Sequence, residues 1–277
     1  MKPTAKRIIL ELMSVNPGVD APAAMLVAAA ELLGIEANNV RVTLTRLVAD
    51  GTLETSGRGL YQLGKTTRAL TKQITSWREL EKQVRPWDGS WACVHFAVGT
   101  ADRVAARRRK RALGLLGFRA LDRPSARALA MRPNNLDGGV AALREQLYAL
   151  GVEETAIVLL ATELDAATEQ RARRLWAAER LTQGYVQTRE RIERWLIAID
   201  ELPLRTAARE AFFFGGDVLR KIMFDPRLPE PLVDVAERRA LLEAAKRLDT
   251  TGRRLWMRLF AVPKGLVNTE HREHARN

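Results

Sequence analysis

The chain has 277 residues, of which 47% are hydrophobic and 28% charged, and a formal net charge of +12. At roughly 100–200 residues per domain this length makes two or three domains, and the apolar content excludes wholesale disorder. A single cysteine excludes an internal disulfide and a cysteine-rich zinc site, and the positive surplus favours a polyanionic partner, nucleic acid or an anionic membrane surface.

The first residues, Met1-Lys2-Pro3-Thr4, lead directly into a helix without the layout of a secretory signal. No stretch reaches the roughly 20 apolar residues of a membrane span. These features predict a soluble cytoplasmic protein without a membrane partner.

Residues 4–63 read as three helices and a hairpin. Ile8, Ile9 and Leu12 share one face of a helix over 4–14, and Val15-Asn16-Pro17-Gly18 stops it. A second helix covers 23–33 and ends at Gly34. A third takes Asn38 or Asn39 as its N-cap, runs to Asp50 and stops at Gly51. Residues 52–55 and 59–63 read as strands joined by Ser56-Gly57-Arg58. This order is that of a winged helix-turn-helix.

Residues 1–63 carry as many acidic as basic side chains, whereas residues 64–127 hold fifteen Lys/Arg against five Asp/Glu, a net of +10. Leu70, Ile74, Trp77 and Leu80 are spaced for a connecting helix over 64–86, ending before Pro86. A strand at 90–98, a helix at 103–116, strands at 118–121 and 126–130, a helix at 136–150 and a strand at 156–161 follow. The order β-α-β-β-α-β is that of the ferredoxin-like sandwich. Cys93, inside the first of these strands, reads as a small core hydrophobe.

From 165 to 262 the pattern is helical, with segments near 166–181, 186–201, 204–221, 232–248 and 253–260. Pro203, Gly215-Gly216 and the stretch from Pro226 to Pro231 separate them. Phe212-Phe213-Phe214 reads as core packing. The expected fold class is α+β: a winged helix-turn-helix (1–63), a connecting helix (64–86), a ferredoxin-like βαββαβ domain (87–163), an all-α C-terminal domain for effector binding and dimerisation (164–264) and a frayed tail (265–277).

The third helix carries the functional signal. Val40, Leu44, Leu47 and Val48 form its apolar face. The opposite face holds Asn38, Asn39, Val42, Thr45 and Arg46, with Arg41 on a flank. Arginine reads guanine in bidentate fashion, asparagine suits adenine, and valine or a threonine methyl can touch thymine. Arg58 at the hairpin tip is placed for the minor groove or a phosphate. These seven residues are the expected DNA-binding set, and the expected partner is double-stranded operator DNA.

An enzyme is the first rival. The ferredoxin-like pattern resembles small CRISPR-associated nucleases in outline, but the first strand ends Phe96-Ala97-Val98-Gly99-Thr100 with no carboxylate for a metal, and Asp102 reads as a helix cap. No Ser/His/Asp set, phosphate loop or metal-spaced histidine pair is present; His95 lies in a strand and His271 and His274 lie in the tail. No catalytic residue, metal or cofactor is therefore expected. The second rival is an activator or architectural DNA-binding protein, which the winged helix alone does not separate from a repressor.

Three segments resemble the PaaX family of repressors, named for phenylacetic acid catabolism. They are Asn39-Val40-Arg41-Val42-Thr43-Leu44-Thr45-Arg46-Leu47-Val48-Ala49-Asp50-Gly51-Thr52-Leu53, Trp87-Asp88-Gly89-Ser90-Trp91-Ala92-Cys93-Val94 and Asp225-Pro226-Arg227-Leu228-Pro229-Glu230-Pro231-Leu232. The resemblance implies a homodimeric repressor released by an aryl-CoA thioester such as phenylacetyl-CoA. Such a ligand needs clustered cations for its phosphates and apolar walls for its acyl group. The candidate effector residues are Arg107, Arg108 and Arg111 in the densest basic run, Arg253 and Arg254 beside Trp256, and the pair Arg238-Arg239 as a third cluster.

Overall fold

A computed structural model describes residues 4–14, 19–65, 67–68, 76–96, 103–121 and 129–260, which form a mixed α+β chain. The stop at 15–18, residues 66 and 69–75 of the expected connecting helix, the ends of the strands at 97–98 and 126–128, Asp102 and the tail lie outside the described residues. The chain divides into two compact units. One comprises Met1–Thr75, Leu196–Gly215 and Arg247–Asn277, the other Ser76–Trp195 and Gly216–Lys246.

In the first unit α1 (Ala5–Ser14), α2 (Ala23–Leu32) and α3 (Ala37–Ala49) pack on a small antiparallel sheet. The sheet has three strands in the order β1-β3-β2: β1 (Ala21–Pro22), β2 (Leu53–Gly57) and β3 (Leu60–Leu63). Ile8, Ile9, Leu26, Val40, Leu44, Leu47, Leu53 and Leu63 are buried in one cluster, with Phe212, Phe213 and Trp256 packed against it.

The hairpin differs from the expected one. Strand β2 runs through Gly57, with a register shift between Thr55 and Gly57, and the turn is Arg58-Gly59. Gly59 takes φ +72, a backbone region that glycine enters without steric penalty. Strand β1 was not expected. It is two residues long, contains a proline and lies at the sheet edge, where a missing N–H disturbs no ladder.

The second unit contains β4 (Trp91–His95), α4 (Arg103–Leu115), β5 (Arg119–Ala120), β6 (Ala130–Pro133), α5 (Gly139–Ala149) and β7 (Ile157–Ala161). The strands pair antiparallel in the order β5-β6-β4-β7. Ala92 and Val94 of β4, Val158 of β7, Ala112 and Leu116 at α4, and Leu143 and Leu147 of α5 close one core. A 3₁₀ helix at Ser76–Gln83 precedes this unit and buries Trp77.

Four helices follow: α6 (Ala166–Arg173), α7 (Ala178–Ala198), α8 (Leu204–Met223) and α9 (Val235–Leu259). Three expected breaks are corrected. The first break falls after Arg173, so α7 continues through Gly184, where residues 181–186 were expected to interrupt it. Helix α8 continues through Gly215-Gly216, and α9 is one helix where two were expected. A helical glycine costs about 1 kcal/mol relative to alanine, which packing along a 20-residue helix outweighs.

Candidate nucleic-acid interface

Helix α3 starts at Ala37 after Glu36, whose φ of −66° and ψ of 140° make it the N-cap; no side chain caps this end. The expectation that Asn38 or Asn39 caps the helix is thus corrected. Both lie inside the first turn, and both are exposed.

Burial of Val40, Leu44 and Leu47 at 0–1% exposure fixes the rotation of α3. Asn38, Asn39, Arg41, Val42, Thr45 and Arg46 are all exposed as a consequence of the 3.6-residue period. Val42, 41% exposed, is the apolar member of this face. The Thr45 hydroxyl donates to the Arg41 carbonyl at 3.2 Å, a local back-bond that leaves the threonine methyl for a partner. The Thr43 hydroxyl donates to Asn39 Oδ1 at 3.4 Å.

Arg58 is exposed at the turn of the hairpin that follows α3. Among the described residues, Arg41, Arg46 and Arg58 make no ion pair, so each guanidinium is available to an external anion. Asp50 at the end of α3 is held below the usual carboxylate range by hydrogen bonds from the Thr52 hydroxyl and amide, and it lies 3.7 Å from Lys6. The Asp50 carboxylate is thus already engaged within the unit.

The candidate effector residues belong to both units. Arg107, Arg108 and Arg111 are exposed on α4 in the second unit. Their neighbour Arg109 pairs with Glu153 and lies 4.6 Å over the Phe96 ring. Arg253, Arg254 and Trp256 belong to the first unit. Arg253 pairs with Asp249 at 3.0 Å, and the Trp256 ring contacts Phe212 at 5.9 Å and Phe260 at 5.5 Å. Trp256 also packs, partly buried, against the core of the first unit.

In the second unit the Trp87-Asp88-Gly89-Ser90-Trp91 stretch forms a tight turn. Ser90 donates its amide and hydroxyl to Asp88 at 2.9 and 2.5 Å, which holds that carboxyl below its usual range. Trp91 stacks on Trp176 at 6.1 Å and donates to Glu169 at 2.7 Å. Cys93 is fully buried, and burial pushes its thiol up to about 11.

Together these features define a chain with an exposed cationic and amide-bearing helix, a hairpin beside it, and a larger helical and sheet-containing remainder. Residues 176–258 match the family model described as the PaaX-like protein C-terminal domain. A solved structure described as uncharacterized protein Rv0674 from Mycobacterium tuberculosis is similar at 22% identity and a TM-score of 0.57, covering 91% of this chain and 98% of that one. That likeness shows a shared fold. No curated protein matches the chain. No helix among the described residues is long and apolar enough to cross a membrane, and they hold no cluster of potential metal ligands.

Proposed function

We propose that this chain is a cytoplasmic transcriptional repressor that binds operator DNA as a homodimer and is released by an aryl-CoA thioester such as phenylacetyl-CoA. In this reading residues 1–63 are a winged helix-turn-helix, 64–86 a connector, 87–163 a ferredoxin-like domain and 164–264 a helical effector and dimerisation domain. The chain has no catalytic role. The observation that carries the reading is the exposed face of α3, with Asn38, Asn39, Arg41, Val42, Thr45 and Arg46 standing over the buried Val40, Leu44 and Leu47. Arg58 follows on a hairpin, where a wing contacts the backbone or minor groove. The PaaX-like C-terminal match supports the regulator class.

The test is binding to the DNA upstream of the chain's own gene, at fixed salt, with and without phenylacetyl-CoA. Arg46→Ala is expected to weaken specific binding by roughly 1–3 kcal/mol while leaving the weaker non-specific binding nearly unchanged. Specific binding that ignores the thioester removes this effector and keeps the regulator. Absence of any sequence preference removes the repressor. Footprints of two half-sites one helical turn apart are expected of the dimer.

A further inference from the structure

Helix α4 carries Arg103, Arg107, Arg108, Arg109, Lys110 and Arg111 and no carboxylate. Cations this dense repel one another. Arg103 with Arg107, and Arg107 with Arg111, are four residues apart and so are neighbours on the helix surface, where like charges destabilise the helix. Arg103 also stands in the first turn, at the end of the helix dipole that disfavours a cation. Among the described residues Arg109 alone is answered, by Glu153. The other five are exposed and make no ion pair among the described residues.

Burial turns these five outward. Ala112 and Leu116 are 1% and 5% exposed, and with Leu113 they hold α4 against the core of the second unit. At ~100° per residue, Arg103, Arg107, Lys110 and Arg111 fall within an arc of about 100° on the opposite side, and Arg108 lies at its edge. At ~1.5 Å per residue, the stripe from Arg103 to Arg111 is about 12 Å long.

The shape of this stripe selects among anions. A compact anion, such as the phosphates of a coenzyme A thioester, is held where cations converge in a concave site. These five diverge along a convex helix face. A membrane-binding helix needs an apolar face that can enter the lipid. The apolar side of α4 is turned into the core, and Val104 is the one large hydrophobic residue of this helix that stands exposed. An extended polyanion fits both the length and the spread of charge. Over about 12 Å, one strand of duplex DNA presents three or four phosphates at ~3.4 Å each.

We infer that α4 is a second DNA-binding surface, which holds the phosphate backbone of duplex DNA through Arg103, Arg107, Arg108, Lys110 and Arg111. Contacts of this kind add affinity and position the protein without reading sequence. That an extended polyanion binds here stands on α4 alone; that it is duplex DNA rests on the DNA-binding reading above.

The test is binding of the full chain to a random-sequence duplex and to the DNA upstream of its own gene, between about 50 and 200 mM salt. The variant is the triple substitution Arg103→Gln, Arg107→Gln, Arg111→Gln. All three positions are exposed, glutamine is as good a helix former as arginine, and repulsion is relieved, so the circular dichroism spectrum is expected to match wild type. The control is Arg174→Gln, Arg180→Gln, Arg194→Gln, which removes the same charge from exposed positions elsewhere in the second unit. The α4 variant is expected to bind both duplexes at least about tenfold more weakly, with the slope of log K against log salt smaller by about 2–3. The control is expected to keep the wild-type slope. An unchanged slope in the α4 variant, or an equal loss in both variants, overturns the surface. So does wild-type binding to phosphatidylserine vesicles without binding to either duplex. Random-duplex binding lost in the α4 variant, with no wild-type preference for the upstream DNA, retains the surface and removes the repressor reading. An upstream preference lost in Arg46→Ala, with the α4 variant unchanged, does the reverse.

Discussion

Two glycines three residues apart are expected to respond to the same substitution with opposite sign. Gly117 follows α4 at φ +75, and a Cβ built on it would lie 2.8 Å from both the Cα and the carbonyl oxygen of Pro226, which are backbone atoms. Forcing an L-residue into the left-handed region costs about 1–2 kcal/mol, and displacing the packed Pro226 backbone adds about 1–3 kcal/mol. The shift also disturbs the Trp176 indole N–H, which donates to the Gly117 carbonyl at 3.2 Å. Gly117→Ala is thus expected to destabilise the second unit by roughly 2–5 kcal/mol. Gly114 sits inside α4 with nothing within 4 Å of its would-be Cβ. Gly114→Ala is expected to stabilise by about 0.5–1 kcal/mol, because alanine loses less backbone freedom on folding. Urea unfolding followed by tryptophan fluorescence reads both effects, since Trp87, Trp91 and Trp176 all belong to this unit. A Gly117→Ala midpoint within about 0.5 kcal/mol of wild type, the usual range of an inert surface change, would refute the close approach to Pro226. Two shifts of the same sign would refute the contrast.

Leu44 is 1% exposed under α3, and Leu44→Ala is expected to lose about 2–5 kcal/mol and specific DNA binding together; wild-type stability in that variant would place α3 in another rotation. The buried Cys93 thiol, raised to about 11, is expected to react with a thiol reagent at neutral pH only as fast as the unit opens. Fast labelling without denaturant would contradict its burial. Asp88 is held below the ordinary carboxylate range by Ser90, so its contribution is present at neutral pH and lost as pH falls through the lowered folded value. Asp88→Asn is accordingly expected to be less stable than wild type at pH 7, with the gap closing in acid; a gap that persists unchanged below the carboxylate range would show that Asp88 acts through something other than its charge.

The candidate DNA-reading face was readable because it depends on local periodicity. Val40, Leu44 and Leu47 recur at helical spacing, and once they are buried the positions of Asn38, Asn39, Arg41, Val42, Thr45 and Arg46 follow. The two-residue strand at Ala21–Pro22 was not readable, since it exists only through pairing with Tyr61 and Leu60, some 40 residues on. The Gly215-Gly216 pair misled for a related reason. Local propensity breaks the helix there, but α8 is anchored elsewhere along its length, as where Phe212 and Phe213 meet the first unit's core. The buried cluster of Tyr185, Asp225 and Arg238 was visible only in part. Arg238 stood out as half of a basic pair, and Asp225 as the head of a proline-rich motif. Tyr185, on a half-buried face of α7, carried no local signal.

That proline-rich motif shows why buried charge escapes a local reading. Prolines lack an amide donor, so the segment Asp225–Leu232 offers more carbonyls than donors and cannot pair them within a helix or sheet. Its carbonyls are met by side chains from distant parts of the unit. Arg132, with 0% exposure, reaches the Pro226 carbonyl at 3.4 Å and also the carbonyls of Leu116 and Pro133 and the Asn135 side chain. Asn135 in turn donates to the Arg227 carbonyl at 2.8 Å, and Arg238 donates to that of Leu228. Burial lowers Arg132 well below the usual arginine range, with Arg227 and Arg238 adding repulsion that Asp225 opposes. A composition count assigns such arginines to the basic surplus that suggests nucleic acid. The structure assigns Arg132 and Arg238 to the interior, where their role is to satisfy backbone oxygens. Net charge is therefore a weaker pointer to a polyanion than the rotation of α3, which leaves Arg41 and Arg46 exposed.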